Sequence, residues 1–208
     1  MLLVNDIHKG FSQPVLKGIT MQVNYGEVIG IAGENGSGKS TLLSIIAGLL
    51  LPDLGQVTVE GKIGYVPQET ALFDNLSIKD NLRFWASAYG VSLKEAEAFT
   101  LGLDLKKKVR YLSGGMKKRL SIALAGLHRP DWLIMDEPSA ALDIAFKGEL
   151  AKMIEEAKTQ ARGVIFTSHQ PDELHWCDRI YILREGVFVY EGAPTEIGSL
   201  AKILYGRS

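Results

Sequence analysis

A single cysteine, Cys177, among 208 residues cannot form an intrachain disulfide. A reducing compartment is therefore the natural expectation. Charge of neither sign is in excess, with 23 basic residues against 24 acidic ones and a net charge of -1. That balance argues against the electrostatic footprint of a nucleic-acid binder, and against a protein held at a membrane by charge alone. Long hydrophobic runs are missing too. The longest, "TLLSIIAGLLLP", falls far short of the roughly 20 residues a bilayer-spanning helix needs. The opening "MLLVNDIHKG" has no charged region leading into a long apolar core, so it does not read as a signal peptide. Internal repeats, low-complexity tracts and linkers are likewise absent. The expectation is a soluble chain that reaches a membrane only if another protein brings it there.

What is present points to a packed domain, since 46% of the residues are apolar. Strands alternate with helical stretches, the pattern of an α/β architecture with a largely parallel sheet. The first part differs: "LLVNDI" and "LKGITMQVNYGEVIGI" alternate and turn like antiparallel strands, and "GQVTVEG" adds another. From Ile78 to Arg129 the pattern is mainly helical. "SIKDNLRFWASAYG" carries Leu82, Trp85 and Tyr89 at helical spacing behind an N-cap at Ser77. "SGGMKKRLSIALAGLHR" sets Leu120, Ala123, Leu124 and Leu127 on one face, and Pro130 is expected to end that helix. After "WLIMDEP" come a helix predicted over Ile144 to Ala161, a strand "GVIFTSH" and a hairpin "RIYILREGVFVYEG". The expected organisation is one domain over 1–208, in which a helical lobe at 69–129 interrupts a core made of 1–68 and 130–208.

Gly33 to Ser40 fits G-x-x-x-x-G-K-[ST], between a buried strand "EVIGIA" and a helix-forming "KSTLLSIIAGLL". Each residue type has a physical reason. The glycines let successive N–H groups turn inward as an anion cradle at a helix start. Lys39 supplies a cation for the β- and γ-phosphates, and the Ser40 hydroxyl can join the coordination of Mg²⁺. A second strand, "WLIMDEP", ends in two carboxylates. Asp136 is expected to hold Mg²⁺ and Glu137 to orient or deprotonate the attacking water. As neighbours on a strand they should point to opposite faces and do different jobs. A third strand end, "GVIFTSHQ", places His169 where it can bond a γ-phosphate and keep the water in register with Glu137. His8, His128 and His175 lack such a context and read as structural.

"YLSGGMKKRL" resembles the signature of ATP-binding cassette (ABC) ATPases, and the resemblance extends in order along nearly the whole chain. Phe11 sits where that family has an aromatic that stacks on adenine. "GENGSGKST" resembles the Walker A loop, so Gly33, Glu34, Asn35, Gly36, Ser37, Gly38, Lys39, Ser40 and Thr41 are implied to bind ATP. "YVPQE" resembles the Q-loop, which implies a catalytic and metal-binding role for Gln68. "LIMDEP" is similar to Walker B with Glu137 as base, "SAALD" to the D-loop ending in Asp143, and "TSH" to the switch-histidine segment. The resemblance implies a P-loop NTPase fold: a mostly parallel sheet with helices on both faces, an N-terminal antiparallel β subdomain and the inserted lobe.

Family resemblance also implies partners. Ser113, Gly114 and Gly115 begin a helix, so they form a second anion site, expected to close over ATP held by the phosphate loop of a second copy or a related ATPase subunit. A separate integral membrane permease would be the other partner, with the ATPase peripheral on the cytoplasmic face of the membrane. Two departures stand out: Met116 replaces the glutamine common in the signature, and the stretch before "YVPQE" is short. The "LSGGM" form and "LFDNLSIKDNLRFWASAYG" resemble two-component exporters, which implies export. A soluble ABC ATPase acting on nucleic acid or ribosomes is the alternative, but the segment between Gln68 and Asp136 leaves no room for a long coiled-coil insertion. A switch that binds nucleotide without turnover would lack Glu137 or His169, and both are here. Phe73, Phe84, Trp85 and Tyr89 fall in the lobe that, in the family, receives a helix of the permease. The basic run 106–110 with Lys117, Lys118 and Arg119 reads as a solvated helix face rather than a lipid or nucleic-acid surface.

Overall fold

Beyond the first turn, the path of the chain is set by where its strands lose their alternation. In the computed structural model, which describes residues 1–98, 102–140 and 142–194, strands β1 (Leu2–Gly10), β2 (Pro14–Val23) and β3 (Val28–Ala32) lead into helix α1 (Lys39–Ile46). Strands β4 (Leu54–Val59) and β5 (Ile63–Val66) follow, then helices α2 (Ile78–Tyr89), α3 (Leu93–Ala98) and α4 (Gly114–Gly126). The chain continues through β6 (Trp132–Met135), α5 (Ile144–Thr159), β7 (Gly163–Ser168), β8 (Arg179–Arg184) and β9 (Val187–Gly192). Parts of the sequence expectation lie outside the described residues: 195–208 of the core, 99–101 of the lobe, and Ala141 of the D-loop.

Two sheets result. β2, β1 and β4 form an antiparallel three-stranded sheet, and β5-β6-β7-β3-β8-β9 form a six-stranded one in which only the β8–β9 pair is antiparallel. The antiparallel grouping expected for the first strands holds for β1, β2 and β4 but not for "EVIGI". Every residue of β3 is buried, so the strand is covered on both faces and sits in the middle of the parallel sheet, between β7 and β8. β7, also buried throughout, is its neighbour for the same reason.

Three apolar clusters hold these layers. One joins the antiparallel sheet and α1 to one face of the large sheet through Leu2, Ile19, Leu42, Ile29 and Trp132. A second packs α5 and part of α4 on the other face, with Phe146, Ile154, Phe166 and Ile180. The third lies inside the helical segment, around Ile78, Leu82, Val109 and Leu124. There Ser77 caps α2, its hydroxyl accepting from the Asp80 amide at 3.1 Å and donating to the Asp80 carboxylate at 2.6 Å. Three of the residues expected on one face of α4, Leu120, Leu124 and Leu127, pack together in the lobe cluster, and Ile122 and Ala125 pack into the second one. α4 is thus buried on two sides, and it ends at Gly126, before Pro130. Among the described residues no helix is long and apolar enough to cross a membrane.

Candidate functional site

Parallel pairing brings four strand ends to one edge. Val66 lies opposite Met135, Met135 opposite Phe166, and Ser168 opposite Ala32. The segments that follow, from Pro67, Asp136, His169 and Gly33, therefore emerge side by side at the C-terminal edge, where open α/β sheets bind ligands. The site residues singled out from sequence arrive here from positions far apart in the chain.

The loop after β3 is held tightly. Gly33 has no room for a side chain, because a Cβ there would collide with the Leu183 carbonyl oxygen, and Gly38 caps α1 in the left-handed region at φ 107°. Lys39, the first residue of α1, is only 5% exposed. Its ammonium donates to the carbonyls of Gly33 at 2.8 Å and Glu34 at 2.9 Å. Burial pulls its pKa down, while the charges of Glu137 and Asp136 push it back up. The Ser37 hydroxyl is buried with no hydrogen-bond partner among the described residues, an orphan that a phosphate oxygen would satisfy. Gly33 to Ser37, with Ile182 to Glu185, line a cavity of about 230 Å³. Ser40 is exposed beside it.

The acidic turn departs from the expectation for adjacent strand residues. β6 ends at Met135, and Glu137 lies beyond it at φ 45°, in the left-handed region. The pleat of β6 therefore does not reach the two carboxylates, and a left-handed turn of the backbone sets their relation instead. Thr167 of β7 fixes both: its hydroxyl donates to Asp136 Oδ1 at 2.7 Å and accepts from the Glu137 amide at 2.8 Å. Asp136 is 2% exposed, and among the described residues no hydrogen bond reaches its second oxygen. With the Ser40 hydroxyl and the Gln68 side chain it offers hard oxygen donors of the kind Mg²⁺ takes. His169 Nδ1 stands 3.5 Å from Glu137 Oε1. Behind it, Ser168 donates to buried Glu173 at 2.6 Å, and Glu173 in turn accepts from Lys147 of α5 at 3.0 Å.

Other predicted residues lie apart from this edge within the chain. Ser113 and Asp143 cap α4 and α5, accepting from the amides of Met116 at 3.2 Å and Phe146 at 2.8 Å. They share a second cavity of about 220 Å³ with Gly114, Gly115, Met116 and Arg119, and none of its residues lines the phosphate-loop cavity. Phe11 projects from the β1–β2 turn, 66% exposed, with Lys9 5.7 Å from its ring centroid. In the lobe, Phe73, Phe84, Trp85 and Tyr89 form a continuous ring ladder that ends on His128.

Sequence reasoning missed Thr167, whose signal was a hydroxyl directly after the apolar run of β7 and before Ser168. The solvated-face reading of Lys118 is overturned: it is 4% exposed. Its burial follows from the two-sided packing of α4, one turn before Ile122. Lys117 and Arg119 are instead partly exposed and paired with Asp74 and Glu149.

A family model described as "ABC transporter" matches residues 16–140. Over 96% of its length the chain is 36% identical to the linearmycin resistance ATP-binding protein LnrL of Bacillus subtilis, 71% of which is covered. It is 31% identical, over 93% of its length and 68% of the relative's, to the Nod factor export ATP-binding protein I of Rhizobium etli. Its fold superimposes at a TM-score of 0.81 and 25% identity on an ATP-binding cassette solved as a dimer in a post-hydrolysis state with ADP and Pi, covering 93% of this chain and 99% of that one.

Proposed function

The chain belongs to the ABC transporter family as an ATP-binding, ATP-hydrolysing subunit, and from that premise we propose that it drives an exporter, closing head to tail with a second copy or a related subunit around ATP and Mg²⁺. The observation that carries the reading is the alignment of four adjacent strand ends, bearing Gln68, Asp136–Glu137, His169 and the phosphate loop, along one sheet edge. Export is supported by the likeness to an export ATP-binding protein and by the "LSGGM" form of the signature. A permease anchors this reading, and it would hold the chain on the cytoplasmic side of the membrane.

In the proposed reaction the phosphate loop wraps the triphosphate, and Lys39 exchanges its loop carbonyls for phosphate oxygens. Ser40, Gln68 and Asp136 would hold Mg²⁺, which supplies charge neutralisation at the β- and γ-phosphates. Glu137, aimed by the Thr167 hydroxyl, orients the water for in-line attack on the γ-phosphorus. His169, beside Glu137, steadies the γ-phosphate. Positioning and preorganised charge supply most of the rate. Ser113, Gly114 and Gly115 present a bare helix start, which covers the γ-phosphate held by the other subunit.

Comparing wild type with Glu137→Gln in Mg-ATP tests this, with phosphate release and light-scattering mass read on the same samples. The expected variant loses at least about 10²-fold in rate, about 2.7 kcal/mol of barrier, and accumulates as an ATP-dependent dimer. Normal hydrolysis by the variant overturns the assignment of Glu137.

A further inference from the structure

Lys118 is a buried cation with no carboxylate partner among the described ion pairs. Its side chain leaves α4 and delivers the ammonium to three main-chain carbonyls: Pro67 at 3.0 Å, Gln68 at 3.0 Å and Asp136 at 3.4 Å. An ammonium has three N–H donors, so these acceptors account for all of them. Burial of such a group is unfavourable unless its hydrogen bonds are met. Burial pulls its pKa below the usual lysine value, and the nearby charges of Asp136 and Glu137 only partly oppose that.

The three acceptors come from two segments: the loop after β5, which Lys117 of α4 also meets further along through Asp74, and the turn after β6. α4 itself is capped by Ser113, and its opposite face is locked into the lobe cluster through Leu120 and Leu124. The helix is therefore a rigid bar. One end carries the signature, and one side, a turn further on, grips the backbone at Gln68 and Asp136. Movement of the signature must move the ammonium relative to those carbonyls, or carry them with it.

We propose that Lys118 is a positioning residue for hydrolysis, which holds the main chain of Gln68 and Asp136 in register with the signature helix so that signature engagement and placement of the metal-binding and water-orienting groups occur as one step. The inference rests on the reading of Gln68, Asp136 and Glu137 given above. A residue serving only to fill space would support the fold without changing turnover in protein that remains folded.

The test uses the full chain with Lys118→Met, which keeps the stem and removes the donors, and Lys118→Gln, which keeps two donors. Thermal midpoint, kcat, KM for ATP and amide exchange in peptides covering 67–74 are measured together; the exchange readout needs no turnover. The expected Lys118→Met protein loses about tenfold or more in kcat with KM within about twofold, the pattern of lost positioning rather than lost binding. Exchange over 67–74 rises in parallel, and Lys118→Gln recovers part of both. Should Lys118→Met fail to fold, Lys118→Arg decides: its wide planar guanidinium keeps the charge but misfits three carbonyls arranged around an ammonium, so kcat falls and exchange rises together. Wild-type kcat and exchange in a folded Lys118→Met or Lys118→Arg protein overturn the proposal. Glu137→Gln run alongside separates the two levels: if it stays active, the hydrolytic reading falls; if it is inactive while Lys118→Met is not, only the Lys118 inference falls.

Discussion

Lys39, Asp136 and Thr167 are 5%, 2% and 0% exposed, whereas Phe11, at the other end of the same proposed nucleotide site, is 66% exposed. Ser113 and Gly114 are exposed as well. The phosphate end is largely set within one chain: its Lys39, Asp136 and Thr167 side chains are dry and bonded beside the central strands of the sheet. The proposed adenine and signature ends are left open, made of exposed groups that nucleotide or a second copy would cover in the proposed sandwich. Preorganised charge is worth most where water is excluded, so the chain spends its rigidity where charge develops. The surfaces that would open and close on each cycle of the proposed sandwich are the exposed ones.

The contrast can be broken most severely at Lys39. Lys39→Ala removes the one cation in the loop and leaves two carbonyls without their donor, so ATP affinity should fall by at least about 10²-fold, about 2.7 kcal/mol. Titration calorimetry checks this, and unchanged affinity would mean that the loop alone binds the phosphates. A smaller effect is expected from Thr167→Val, which keeps the shape of β7 but strips the hydroxyl that bridges Asp136 and Glu137. An orphaned buried amide costs about 1–3 kcal/mol; thermal unfolding should show that loss, and hydrolysis should slow with it. The mildest change is at the open end. Phe11→Ala should weaken ATP binding by about 1 kcal/mol, the scale of an aromatic stacking contact, while leaving the melting temperature where it was. If Phe11→Ala destabilises the protein as much as Thr167→Val, the division into a finished and an open end is wrong.

Much of this arrangement was legible beforehand because it depends on short-range pattern. A glycine-rich loop between a strand and a helix, an apolar run cut off by two acids, and a strand ending in histidine each read locally. The parallel sheet then brought them together. The alternation of β1, β2 and β4 was legible for the same reason. What escaped were features decided by long-range packing. β3 reads as a continuation of the strands before it until β7 and β8 enclose it. Lys118 reads as one more lysine in a basic run, because nothing nearby in sequence reveals that the side of α4 bearing it faces the core. Thr167 resembles any strand threonine until Asp136 is placed one strand away. Pleat alone predicted opposite faces for Asp136 and Glu137, but both lie beyond the end of β6, where a left-handed residue rather than the pleat sets the backbone.

That left-handed residue has a consequence for how the protein can be changed. At φ 45°, Glu137 holds a conformation that costs a side-chain-bearing residue about 1–2 kcal/mol, and glycine or asparagine would occupy it with less strain. A library screened only for heat resistance should therefore drift away from glutamate here and gather stable, silent proteins. On the proposed role of Glu137, turnover would hold glutamate at this position against a standing pull from the backbone itself.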